Sequence, residues 1–316
     1  MAVRRRGKEK RRLRSAPFLP NKGLEIEYAR QLRALVVPMV REVKKRMMHL
    51  YRQYSPNVAM DDMSDELQAA LDDFYARFPG EFETSGRDLA RRMVAKQKDN
   101  ADKTFRERMK ELLPLGLLVL GATMGVASEE NKMAALSPLP PTSGGLENFG
   151  NSLLQDIASS TDTPEMREVL NAAVIENTSL IRTIPAKFLD RVAGAMTRAM
   201  QAGATVKALS NALNKYGEVS LRHATRIALD QTFKTFTAIN LRKFQAAGIE
   251  KFEWVHTGLS KEPRPHHITE APRGLNHGVF DLDDPPIIDP RTGETGYPGQ
   301  LPYCRCVMCA VVDAEF

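Results

Sequence analysis

Apolar residues recur at helical spacing through most of this 316-residue chain, and the pattern stops at Ile249. Beyond that point proline and glycine are too dense for a long helix or strand, which leaves short strands and structured loops. All three cysteines (Cys304, Cys306, Cys309) and four of the six histidines (His256, His266, His267, His277) lie in the last 61 residues, beside the only tryptophan, Trp254. The fold class that follows is mostly α. N-terminal and central helical regions precede a small α+β, loop-rich C-terminal Cys/His module.

Residues 24–54 place Ile26, Leu32, Leu35, Val36, Met39, Val40, Val43, Met47 and Leu50 three or four positions apart, the pattern of a long amphipathic helix in which Pro38 predicts a kink. A second helix fits 62–78, with Ser64 as N-cap, and a third fits 83–112. Residues 112–127 carry no charge but contain Pro114, Gly116, Gly121 and Gly125. They fall short of the roughly 20 residues a bilayer span needs. They read as a buried core helix or a subunit interface, with a membrane-active segment as the rival reading.

Ser137–Gly145 is a linker by composition. Thr163 before Pro164 and Glu165 starts a helix. Pro185 opens another, ended by Gly203, and a short helix at 205–215 is closed by Gly217. Ser220 then caps a helix running to about 246 and stopped by Gly248. Lys251 to His256 alternates like a strand, with Phe252 and Trp254 on one face. The expected organisation is a basic disordered arm (1–22), an N-terminal helical region (23–136), a linker (137–147), a central helical region (148–248) and the C-terminal module (249–316).

Charge is as unevenly distributed as the cysteines. Arg4, Arg5, Arg6, Lys8, Lys10, Arg11, Arg12 and Arg14 stand against one acid, Glu9, so the first 14 residues carry +7 of a chain whose net charge is +6. The remainder is nearly neutral. Such a run repels itself and buries nothing, and its natural partner is a polyanion such as a nucleic acid. A solubilising terminus or contact with an acidic protein surface are the other readings. No aromatic residue interleaves with the arginines, so base stacking is not suggested. The apolar stretch that follows is too short for a secretion signal.

Three cysteines argue against a disulfide framework and for a reducing compartment. Thiolates and imidazoles gathered in a small domain are the donor set of a structural zinc, whose binding energy is also folding energy. Cys306 and Cys309 have C-x-x-C spacing, Cys304 and Cys306 form a tighter pair, and His267 and His277 can complete a ligand set. The rival readings are buried structural residues without metal and a reactive thiol. Asp281, Asp283, Asp284 and Asp289 can offer oxygen ligands to Mg²⁺ or Ca²⁺, but the prolines after them favour plain exposed turns. Arg264 and Arg305 are candidates to pair with these carboxylates.

The landmarks of the module come in a definite order: Trp254, Ser260-Lys261, Arg264-Pro265-His266-His267, Gly278-Val279-Phe280, Pro285-Pro286, Gly296-Tyr297-Pro298-Gly299 and Cys304-Arg305-Cys306. This series resembles the C-terminal domain of the Mu F-like minor head proteins, the phage head-morphogenesis family. The helical stretches Glu176–Pro185 and Ile227–Thr232 are also similar to it. In that family the Cys-Arg-Cys pair and a preceding histidine recur, which correspond here to Cys304, Cys306 and His267; Cys309 lies outside the pattern. Trp254, Arg264, Gly278, Pro298, Gly299 and Arg305 correspond to its structural positions.

The resemblance implies a non-enzymatic minor capsid protein, held in few copies inside the head near the portal and acting in head assembly and DNA packaging or delivery. Its implied partners are the portal protein, scaffold and major capsid protein, with packaged double-stranded DNA met through the basic arm. Its implied locations are the virion interior and, during assembly, the bacterial cytoplasm. Two other classes stay open. One is a zinc-dependent hydrolase or nuclease using His266 or His267. The other is an ejected virion protein acting on membrane through residues 112–127. No phosphate loop, H-E-x-x-H or G-x-S-x-G motif is present.

Overall fold

The computed structural model describes residues 10–54, 60–123 and 163–315. The described chain is mostly α, with small sheets built mainly from residues after Lys251, as the sequence predicts. Its helices are α1 (Lys22–Tyr54), α2 (Met60–Thr123), α3 (Pro164–Ala202), α4 (Val206–Ala246) and the short α5 (Pro265–Ile268). The strands are β1 (Lys10–Arg14), β2 (Lys251–Val255), β3 (Val279–Asp281), β4 (Ile287–Asp289), β5 (Glu294–Thr295) and β6 (Val307–Glu315). Contacts divide the chain into two compact units.

The unit made of residues 21–96 and 170–232 is a helical bundle. Leu32, Val36, Met39, Val43 and Met47 of α1 are buried in its core at the spacing read from the sequence. They join Leu71, Phe74, Phe78 and Phe82 of α2, Ile181, Ile184, Phe188 and Val192 of α3, and Leu209, Leu213 and Ile227 of α4. Residues expected to divide helices sit inside them here. Pro79 lies within α2, which replaces two predicted helices, with buried Phe78 and Phe82 on either side of it.

Pro185 lies within α3 rather than opening a helix. An interior proline costs about 3 kcal/mol. Burying Ile181, Ile184, Phe188 and Leu189 around it contributes about 1.5–3 kcal/mol for each side chain, which outweighs the break. Gly217 does not end a helix either. A Cβ there would stand 2.6 Å from Val40 Cγ1, so glycine serves the close approach of α1 to α4. Ser220, expected as a cap, instead donates its hydroxyl to the Tyr216 carbonyl at 3.1 Å within α4. The caps at Thr163, Gly203 and Gly248 stand where predicted. Thr163 Oγ1 accepts the Met166 N–H at 3.2 Å, and both glycines adopt positive φ.

The other unit comprises the described residues within 1–20, 97–169 and 233–316. Its main sheet has the order β1-β6-β2-β3, with every neighbouring pair antiparallel. β1 corrects the expectation of a wholly disordered arm: Lys10 pairs with Glu315 and Arg14 with Val311. The added strand satisfies backbone groups along β6. Arg12 pairs with Asp313 at 3.2 Å, and Arg14 with buried Glu253 at 3.0 Å. Phe18 anchors the segment, meeting Phe244 edge-on at 4.9 Å. Arg4, Arg5, Arg6 and Lys8 lie outside the described residues, as does the linker.

Lys243, fully buried, pairs with Asp102 and sits 5.5 Å from the Phe105 ring centre. Burial lowers its pKa, and the bond to Asp102 partly offsets that. Of 112–127, the part up to Thr123 is helical, and side chains beyond Leu112 lie outside the described residues. Among the described residues no helix is long and apolar enough to cross a membrane.

Candidate metal centre

The site is assembled by three pieces of chain around the inner end of β2. Phe252 and Trp254 of β2 are fully buried on one face, as the alternation predicts. Helix α5 follows at one side. Its single turn forms because Pro265 occupies the first position and the His267 N–H bonds the Arg264 carbonyl at 3.0 Å. The third piece is the loop 296–306, which Gly299 (φ 81°) and Tyr303 (φ 61°) bend so that Cys304 and Cys306 are both buried beneath it. Arg264 Nη2 donates to the Pro302 carbonyl at 3.1 Å and ties that loop to α5.

His267, Cys304 and Cys306 come together there. Their ligand atoms all lie within 4.8 Å of one another, and all three side chains are buried. His267 Nδ1 stands 3.4 Å from Cys304 Sγ and 3.8 Å from Cys306 Sγ. Its other nitrogen, Nε2, donates to the Ile288 carbonyl at 2.9 Å, which leaves Nδ1 as the lone-pair nitrogen facing the sulfurs. A backbone carbonyl holding the far nitrogen is the usual support for a metal-bound histidine. Trp254 stacks edge-on to His267 at 5.0 Å. The indole N–H of Trp254 is buried without a hydrogen-bond partner, and it lies close enough to the Cys306 sulfur to favour its thiolate.

Two buried sulfurs this close ionise unequally. The Cys306 thiol donates toward Cys304 and, with His267, lowers the Cys304 pKa. The same bond, with burial and the neighbouring negative charge, raises that of Cys306. A dication would remove the conflict by accepting both thiolates. One imidazole nitrogen and two thiolates fit a soft divalent metal. The group can therefore bind a metal.

The remaining predicted ligands go elsewhere. His277, at positive φ (56°), places Nδ1 2.8 Å from Glu253 Oε1, whose other oxygen takes Arg14. Cys309 is paired in register with Glu253 and lies against Arg14 and Glu253. Neither shares the cluster of His267, Cys304 and Cys306. His266 Nε2 bonds the Ile287 carbonyl at 3.0 Å. Asp289 serves a turn: its Oδ1 accepts the Arg291 N–H at 3.0 Å.

The structural positions have clear roles. Gly278 accepts the Trp254 N–H at 2.9 Å, and a Cβ on it would strike the Phe280 ring. Pro298 is buried beside Gly299. Arg305 stacks 4.4 Å from the Phe233 ring centre. One neighbour escaped the sequence reading of ligands: His256, at the end of β2, has Nδ1 3.6 Å from Cys306 Sγ. Its position two residues after the buried tryptophan, on the same strand face, was the available signal.

Residues 190–309 match the family described as Phage Mu protein F like protein. The matched segment thus takes in part of α3, all of α4 and the module through Cys309, including His267, Cys304 and Cys306. An uncharacterized protein of Haemophilus influenzae is 29% identical over 152 residues, which is 48% of this chain. The chain spans about a third of that relative's length, 31%. No solved structure matches.

Proposed function

We propose that this chain is a bacteriophage head-morphogenesis protein that acts by binding, as a minor capsid component at the portal vertex. The observation that carries the reading is that the segment matching the Mu F-like family contains the buried His267–Cys304–Cys306 cluster. In this reading the metal is zinc. Bound there, it would supply folding energy and hold α5, β2 and the loop 296–306 as one docking surface. His267, Cys304 and Cys306 would hold it. The basic segment ahead of β1 would meet packaged DNA, because Arg12 and Arg14 are engaged within the sheet.

The test is coexpression with the cognate portal protein, followed by sedimentation of assembled portals. The protein is expected to co-sediment in a fixed ratio to the portal, and Cys304→Ser with Cys306→Ser to abolish this while the helical bundle stays folded by circular dichroism. A protein that never sediments with portals or procapsids would refute the assignment. A metal-dependent loss of DNA in a parallel digestion would favour the nuclease reading instead.

A further inference from the structure

A metal held by His267, Cys304 and Cys306 has three protein ligands, and structural zinc takes four. We propose that His256 is the fourth ligand, so that the module closes around a Cys2His2 zinc; this rests on the zinc reading above. In a tetrahedral site with Zn–S near 2.3 Å and Zn–N near 2.0–2.1 Å, neighbouring nitrogen and sulfur ligands stand about 3.6 Å apart. Three of the four nitrogen–sulfur edges already exist at that length: His267–Cys304 at 3.4 Å, His267–Cys306 at 3.8 Å and His256–Cys306 at 3.6 Å.

His256 is not yet within 4.8 Å of the whole set, so the metal would draw its imidazole inward. Its backbone is already held for that. The His256 N–H donates to Asn276 Oδ1 at 2.9 Å. The next residue, Thr257, donates its hydroxyl at 2.7 Å to the carbonyl of Arg305, the residue between the two cysteines.

Charge and the fate of the other donors point the same way. Two thiolates and two neutral imidazoles around a dication sum to zero, the inexpensive arrangement in a buried site. A third thiolate would leave one negative charge. The other nearby donors are engaged: His277 with Glu253, His266 with the Ile287 carbonyl, and Cys309 against Arg14 and Glu253.

The experiment uses the full chain loaded with zinc or cobalt, reading metal per chain, affinity by chelator competition, and the visible spectrum of the cobalt form. The wild type is expected to hold one metal in a four-coordinate site with two thiolates. His256→Ala should weaken binding by more than the 10–100-fold that losing an outer-shell partner costs, and should change the cobalt bands. His256→Cys should restore tight four-coordinate binding and add thiolate-to-cobalt absorption, and it decides the matter if the alanine variant does not fold. His266→Ala should leave all three readouts unchanged.

If both His256 variants keep the wild-type spectrum and affinity while His267→Ala loses the metal, His256 is not a ligand and the zinc reading survives. If the wild type binds neither metal, the zinc reading fails, and the fourth ligand fails with it.

Discussion

Replacing Gly299 with alanine should damage the module in two separable ways. At φ 81° an added Cβ meets the left-handed penalty of about 1–2 kcal/mol. The same Cβ would stand 2.8 Å from Thr237 Oγ1, closer than packed carbon and oxygen sit, and overpacking of that kind typically costs about 1–3 kcal/mol. The expected total is about 2–5 kcal/mol. Thr237→Ala removes the offending oxygen and leaves the next nearest Thr237 atom, Cβ, at 3.7 Å. The double variant should therefore recover the packing share and retain about 1–2 kcal/mol of backbone strain.

Trp254 is the only tryptophan and fully buried in this unit, so urea unfolding followed by its fluorescence reports the module without signal from elsewhere. Thr237→Ala alone provides the fourth corner of the cycle. A Gly299→Ala variant as stable as wild type would refute the reasoning about φ. A double variant no more stable than Gly299→Ala would refute the contact.

Chelation of a zinc-loaded sample should lower the urea midpoint reported by Trp254, and Cys304→Ser should remove that difference. Burial pushes the Cys309 thiol up to about 11. The unfolded thiol ionises near 8.5, so stability from the buried neutral form is whole below that pH and fades as pH rises toward about 11. The alkaline loss should be smaller in Cys309→Ala, measured by urea midpoints across that range; equal losses in the two proteins would contradict it. In the bundle, buried Asn177 accepts from Tyr28 at 2.9 Å and donates to Gln231 at 2.9 Å. Asn177→Ala should cost about 2–4 kcal/mol by circular dichroism unfolding, because it strands both partners. Removing residues 1–9 takes away Arg4, Arg5, Arg6 and Lys8 and should flatten the salt dependence of DNA binding by about 3–4 in log–log slope. An unchanged slope would place the contact elsewhere.

Features set by near neighbours in the chain were legible. The stripe of α1, the caps at Thr163, Gly203 and Gly248, and the strand Lys251–Val255 all follow from local spacing and turn chemistry. Features set by distant neighbours were not. Gly217 resembles a stop signal until Val40 is packed against it, and Pro185 resembles a start until the buried residues on both sides are known. β1 reads as unpaired charge because its partner strand lies some 300 residues away. At the centre, His267, Cys304 and Cys306 were legible as a set. The departure of His277 and Cys309 to Glu253 depends on strand register, which spacing along the chain does not encode.

The pairing of Lys10 with Glu315 sets an order of events for a ribosome making this protein. β1 emerges some 300 residues before the strand it joins. At about 5–20 residues per second, that is a wait of about 15–60 seconds. The helical bundle has no such dependence on the last residues and can form first. The main sheet, and the cysteine loop leading into it, must therefore close after the bundle's segments have been made. Until then Arg12 has no Asp313 to pair with and stays available to another anion.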